Sequence, residues 1–155
     1  MSDPKGCACR HIERAKAPAC DDLSGQVLQI LRLQIQSQIL PQRRGWQRGL
    51  RLASALWGAE KGPQVFAAIA AMLDEMGRAR QSIFRISNPD CPGCAATMTA
   101  HETLIVQCFR LLQSGAQDKA KRCAFLLCEA NPCAVFLAMT ERLVTLVPAA
   151  SSEPR

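Results

Sequence analysis

The chain has 155 residues, of which 48% are hydrophobic, 21% charged and 5% aromatic, and it contains nine cysteines and no tyrosine. This usage is close to that of ordinary globular proteins, so we expect one domain with a substantial core. Because aromatic and β-branched residues are sparse, helices are favoured over sheet. The formal net charge of +6 suits acidic partners, but an excess of this size is also common in proteins that are merely soluble.

The start of the chain has neither the apolar segment nor the cleavage site of a secretory signal. No uncharged apolar run approaches the ~18 residues needed for a membrane span. We therefore expect a cytoplasmic protein with no membrane association. An odd number of cysteines in such a chain argues against a disulfide framework and favours reduced thiols, metal ligands or a reactive pair.

Three regions differ in pattern. Residues 1–22 are polar and basic without periodicity and are predicted to form a flexible arm. Residues 23–148 are predicted to form a single helical domain, and residues 149–155 a disordered tail. At the start of the domain, residues 23–42 fit a helical face, yet 31–39 also alternate as a strand would. We favour a helix there because an isolated strand needs partners.

Apolar residues at helical spacing predict helices over 46–60 and 64–80, with a break at Gly62 and Pro63 between them. Residues 81–98 are irregular. After them, Thr99 and Glu102 form the pattern of a capping box, which opens a helix that ends at Gly115.

Two further helices complete the prediction. Asp118 is expected to cap a helix that runs to Cys128, and Asn131 and Pro132 to start a last helix that Pro148 stops. Five to six helices in one chain predict a compact all-α bundle.

The most informative motif is Cys91-Pro92-Gly93-Cys94, in the irregular stretch. Two thiolates at this spacing can approach one tetrahedral ion. We expect zinc or, as the weaker alternative, an iron–sulfur cluster, with His101 as a third ligand and Cys133 or Cys128 as the fourth. Cys108 cannot share an ion with His101, because two turns of helix separate them.

The same motif has a redox interpretation. Cys91 would act as the nucleophile and Cys94 would resolve the mixed disulfide, in a helical thiol–disulfide or peroxide-reducing protein with His101 nearby. A thioredoxin fold is not expected, because the sequence lacks the strands of a parallel sheet.

The other cysteines fit other roles. Cys108 and Cys123 lie within apolar helices and are expected to pack as small core residues. Cys133 is expected at the start of the last helix, as a cap, a ligand or a reactive thiol. The arm holds a second group of possible metal ligands, which comprises Cys7, Cys9, His11 and Cys20. Alternate residues in a flexible arm rarely form a preorganised site, so we expect only adventitious metal affinity there.

A basic cluster gives a third hypothesis. Arg43, Arg44, Arg48 and Arg51 can track phosphates, with Trp46 available for stacking on a base. The alternative is a solvated helix face. Taken together, the sequence favours a non-enzymatic metal-binding accessory or regulatory protein with an unidentified protein partner. A thiol–disulfide protein and a nucleic-acid-binding module remain as alternatives.

Overall fold

The computed structural model describes residues 14–148, and within that range it is an all-α bundle. The predicted fold class is therefore confirmed. Residues 1–13 of the predicted arm, with Cys7, Cys9 and His11, lie outside the described residues, as does the tail 149–155. The helices are α1 (Leu23–Ile39), α2 (Gly45–Ala79), α3 (Pro92–Ala95), α4 (Ala100–Gln113), α5 (Gln117–Leu127) and α6 (Ala134–Leu146), with a 3₁₀ turn at Pro41–Arg43.

A short pair of strands joins the described part of the arm to the helical domain. β1 (Ala15–Lys16) runs antiparallel to β2 (Thr97–Met98). The amide of Ala17 also donates to the Ala96 carbonyl at 2.9 Å. Residues 14–22, predicted as part of the arm, are thus hydrogen-bonded to the chain just after Cys94.

The ambiguous segment 23–42 is helical, and its polar residues explain the ambiguity. Arg32, Gln34 and Gln36 are each 4% exposed, so α1 is buried on nearly every side. The Gln34 side-chain amide donates to the Phe66 carbonyl at 2.9 Å. Polar residues that alternate with apolar ones here are buried hydrogen-bond donors rather than the outward face of a strand.

The break within α2 lies at Gly58 and not at Gly62 and Pro63 as predicted. Gly58 has φ 88° and ψ 168°, a conformation that L side chains rarely adopt. Gly62 instead allows the two halves of α2 to touch, because a Cβ there would lie 2.5 Å from the Cα of Ser54. The predicted pair of helices is correct, but the residue that bends the chain comes four positions earlier.

In the second half of the domain α4 packs on α5 and α6, and α6 also packs on α2. The capping box of Thr99 and Glu102 is present. Two predicted caps are wrong. Ala116 precedes α5, with Asp118 in its first turn, and Asn131 donates to the Ala79 carbonyl at 2.6 Å instead of capping α6.

Candidate functional site

The chain that follows Cys94 is tied to α1 by a buried ion pair. Arg32 Nε donates to Glu102 Oε1 at 2.8 Å, and Arg32 Nη2 to Glu102 Oε2 at 3.0 Å. Their side chains are 5% and 0% exposed. The guanidinium also donates to the carbonyls of Ala95 at 2.9 Å and Thr97 at 2.8 Å. One arginine therefore holds both the start of α4 and the end of the Cys91–Cys94 turn.

The Glu102 carboxylate, like the Arg32 guanidinium, takes part in further hydrogen bonds. Its Oε1 accepts from the amide of Ser87 at 3.0 Å, and its Oε2 from the amide of Thr99 at 2.9 Å. A buried charge is tolerated when a partner and further hydrogen bonds replace its lost water. This carboxylate thus joins α1, the irregular stretch and the cap of α4 at one point.

Sequence reasoning missed this pair. It assigned Glu102 to the capping box alone and gave Arg32 no role. One signal was present: Arg32 is the only charged residue among residues 23–42. The sequence carried no indication of its partner, which lies 70 positions away.

Asp90, directly before Cys91, forms a second tie to the helices. Its Oδ1 accepts from Arg48 Nη2 at 2.6 Å, and its Oδ2 from the Gln36 side-chain amide at 2.8 Å. The hydrogen bond from Arg48 holds the pKa of Asp90 below its ordinary value, with a further contribution from Gln36, although burial opposes it. The turn is therefore fixed on both sides, by Asp90 before it and by Arg32 after it.

Between these two ties, Cys91 and Cys94 lie on one helical turn. The Cys91 Sγ accepts a hydrogen bond from the Cys94 amide at 3.4 Å and is the cap of α3. Cys91 is partly exposed, whereas Cys94 is buried. Pro92 and Gly93 are exposed between them, and among the described residues a Cβ at Gly93 would meet nothing outside its own turn within 4 Å. The turn is open to an approaching molecule at the Cys91 side.

His101, predicted as a third metal ligand, contacts Arg80, Arg85 and Phe84 instead. The amide of Arg85 donates to His101 Nδ1 at 2.9 Å. Arg80 Nη2 lies 3.2 Å from His101 Nε2, and the ring packs on Phe84. Burial, then the charges of Arg80 and Arg85, lower the pKa of His101. A cation bound at Nε2 would lie against a guanidinium, which disfavours a metal there.

The remaining described thiols of the domain gather where α4, α5 and α6 meet. Burial, followed by the neighbouring thiols Cys123, Cys128 and Cys133, raises the pKa of Cys108 to about 12. Burial, followed by Cys133, raises the pKa of Cys128 to about 11. Cys108 is fully buried, as predicted for a core thiol, and Cys128, a candidate ligand in the sequence, is fully buried too. Cys123, which was also predicted in the core, packs against it but is partly exposed. Cys133 precedes α6 and belongs with this group.

The predicted ligands are consequently not brought together. Among residues 14–148 no group of three or more histidine, cysteine, aspartate or glutamate side chains is arranged to hold a metal ion. Cys91 and Cys94 share one turn, His101 is engaged by Arg80 and Arg85, and Cys133 lies with the thiols of the helical core. Metal binding by this set stays a prediction.

The predicted basic cluster lies at the start of α2. Arg43, Arg44 and Arg51 are exposed, whereas Arg48 is committed to Asp90. Trp46 is 50% exposed, and its ring meets Phe66 edge to face at 4.9 Å. The sequence treated this cluster and the Cys91–Cys94 turn as separate features, and the structure makes them neighbours.

Within the described residues, no helix is both long enough and apolar enough to cross a membrane. No protein-family model, curated protein or solved structure matches this chain, so its function has to be argued from the site itself.

Proposed function

We propose that this protein exchanges dithiols for disulfides, with Cys91 as the attacking thiol and Cys94 as the resolving thiol. The observation that carries the proposal is the 3.4 Å contact between the Cys94 amide and the Cys91 Sγ, in a turn where Cys91 is accessible and Cys94 is buried. An amide donor favours the charged form of a sulfur, and the thiolate is the attacking species.

The reaction takes two steps that balance. The Cys91 thiolate attacks one sulfur of a substrate disulfide, whose sulfur–sulfur bond breaks, and the leaving thiolate takes up a proton. Cys94 then loses its proton and attacks the Cys91 sulfur, which releases the second substrate thiol. The substrate gains two electrons and two protons, and the protein gains a Cys91–Cys94 disulfide. Exchange with a cellular dithiol restores the reduced pair.

The two ion pairs act as positioning elements for this chemistry. Glu102 and Arg32 hold the main chain after Cys94, and Asp90 is held directly before Cys91. Thiol attack requires the two sulfurs to keep a defined separation and direction. A turn fixed at both ends on rigid helices meets that requirement better than a mobile loop.

The test is the rate at which the reduced protein cleaves an aromatic disulfide that releases a coloured thiol. We expect Cys91→Ser to slow the reaction at least ~10-fold. Cys94→Ser should instead trap a covalent adduct on Cys91, detectable as an added mass. The matched control is Cys123→Ser, which removes a partly exposed thiol of α5 and should react as the wild type does. Equal rates for Cys91→Ser and wild type would refute the proposal.

Zinc is the second candidate, because two thiolates three positions apart supply half of a tetrahedral site. The other ligands would come from another protein chain. Metal stoichiometry and thiol count on freshly reduced protein separate the two functions. Zinc that is bound by wild type and lost in Cys91→Ser/Cys94→Ser would replace the dithiol proposal, whereas metal-free protein with full disulfide-cleaving activity would support it.

A further inference from the structure

Positive charge is concentrated on the surface beside Cys91. Residues 23–59 contain five arginines and no aspartate or glutamate, so the end of α1 and the start of α2 supply no carboxylate of their own. Asp90 enters this surface from the turn and pairs with Arg48 at 2.6 Å. The residue that follows Asp90 is Cys91, so Cys91 is adjacent in the chain to the carboxylate that pairs with this surface.

Three arginines remain exposed after that pairing. Arg44 and Arg51 lie one turn before and one turn after Arg48 along α2, and the amide of Arg48 donates to the Arg44 carbonyl at 3.0 Å. Arg43 is close enough that, after the stronger effect of Arg48, it helps to lower the pKa of Asp90. The basic surface, defined as Arg43, Arg44 and Arg51 around the Arg48–Asp90 pair, therefore borders the attacking thiol.

We infer that this basic surface docks an acidic polypeptide segment and presents a disulfide in that segment to Cys91. The inference rests on the proposed function, and it names the class of substrate as protein disulfides flanked by aspartate or glutamate. Complementary charge raises the rate of encounter and orients the partner more than it raises affinity. The open space above Gly93 leaves room for the main chain of the segment.

One feature favours an acidic polypeptide over a nucleic acid. Asp90 puts a carboxylate in the middle of the surface, where it would repel a continuous phosphate backbone but leaves separate sites for individual carboxylates on either side. Trp46 is half exposed and remains available to stack on a base, so a single-stranded oligonucleotide is the competitor that the experiment must include.

The experiment compares two short synthetic peptides with one disulfide each. In the first the disulfide is flanked by glutamates, and in the second each glutamate is replaced by glutamine. At low salt the wild type should cleave the acidic peptide about 10-fold faster. Arg43→Gln/Arg51→Gln should remove that preference without slowing cleavage of the glutamine peptide. The control Arg122→Gln neutralises an exposed arginine of α5 and should keep the preference.

The outcomes separate the two proposals. If the wild type cleaves both peptides at the same rate, the docking surface is wrong while the dithiol function stands. If it cleaves neither, the dithiol function fails, and binding to the Cys91→Ser/Cys94→Ser protein by fluorescence anisotropy decides the docking surface. Equal affinity of that protein for both peptides overturns it. A single-stranded oligonucleotide that binds more tightly than the acidic peptide, through the same arginines, also overturns it.

Discussion

Two groups of thiols in this protein differ in their position in the fold and in the side chains that surround them. Cys91 and Cys94 lie in a turn at the surface, held by charged side chains on both sides. Cys108 and Cys128 lie 0% exposed among apolar helices, where burial raises the pKa of each thiol to about 12 and about 11 respectively. The comparison shows that the surroundings of a thiol, and not its spacing in the chain, set its exposure and, for the buried thiols, its raised pKa.

The largest effect that separates the two groups is the rate of alkylation. A pKa raised from 9.0 to about 12 lowers the thiolate fraction of Cys108 at neutral pH about 1000-fold relative to an ordinary cysteine. Mass spectrometry after brief iodoacetamide treatment should therefore find Cys91 modified and Cys108 intact, and unfolding in urea should make them equally reactive. Equal labelling in the folded protein would contradict the comparison.

Removing the Glu102 carboxylate tests the comparison, because, among the described residues, its partner Arg32 holds the chain beside Cys94 and forms no hydrogen bond with the buried thiols. Glu102→Ala leaves Arg32 buried without its counter-charge, which costs about 3–5 kcal/mol in the free energy of unfolding. Urea denaturation measures this loss. The control Asp74→Ala breaks the exposed pair with Arg78 and should cost at most ~0.5 kcal/mol.

Glu102→Ala should also change the alkylation rate of Cys91 in the protein that remains folded, while Cys108 stays protected. A change in stability without any change at Cys91 would mean that the ion pair supports the fold and does not position the turn.

The last effect, small for each pH unit, is a loss of stability at alkaline pH that comes from the buried thiol of Cys108. The folded pKa of Cys108 is raised, so the folded protein retains its proton above pH 9.0 while the unfolded chain loses it. Stability is fully present below pH 9.0 and falls as the pH rises toward 12, by at most about 1.4 kcal/mol per pH unit for this thiol.

Denaturation curves across this pH range measure that slope. Cys108→Ala should reduce it to the part that comes from Cys128, whose raised pKa of about 11 lies in the same window. The absence of tyrosine removes one competing group that titrates in the same window. An unchanged slope in Cys108→Ala would place the alkaline transition elsewhere.

Local patterns in the sequence determined a large part of the fold. Apolar periodicity specified the long helices, and the Thr99 and Glu102 spacing specified a capping box that the structure confirms. These features depend on residues within a few positions of each other, so a short window of sequence contains them. The bend of α2 lies at Gly58, whose positive φ suits glycine, and not at the predicted Gly62 and Pro63. Asn131 was misassigned as a cap because its side chain donates to the Ala79 carbonyl, 52 positions away.

The sequence by itself determined an all-α chain and singled out Cys91 and Cys94 from nine cysteines. Tertiary structure alone decided what surrounds them. Arg32 meets Glu102 and Arg48 meets Asp90 across separations of 70 and 42 positions, while His101 is claimed by Arg80 and Arg85. Such pairings follow from how helices pack, because the burial of one charge selects its partner from any part of the chain that arrives beside it.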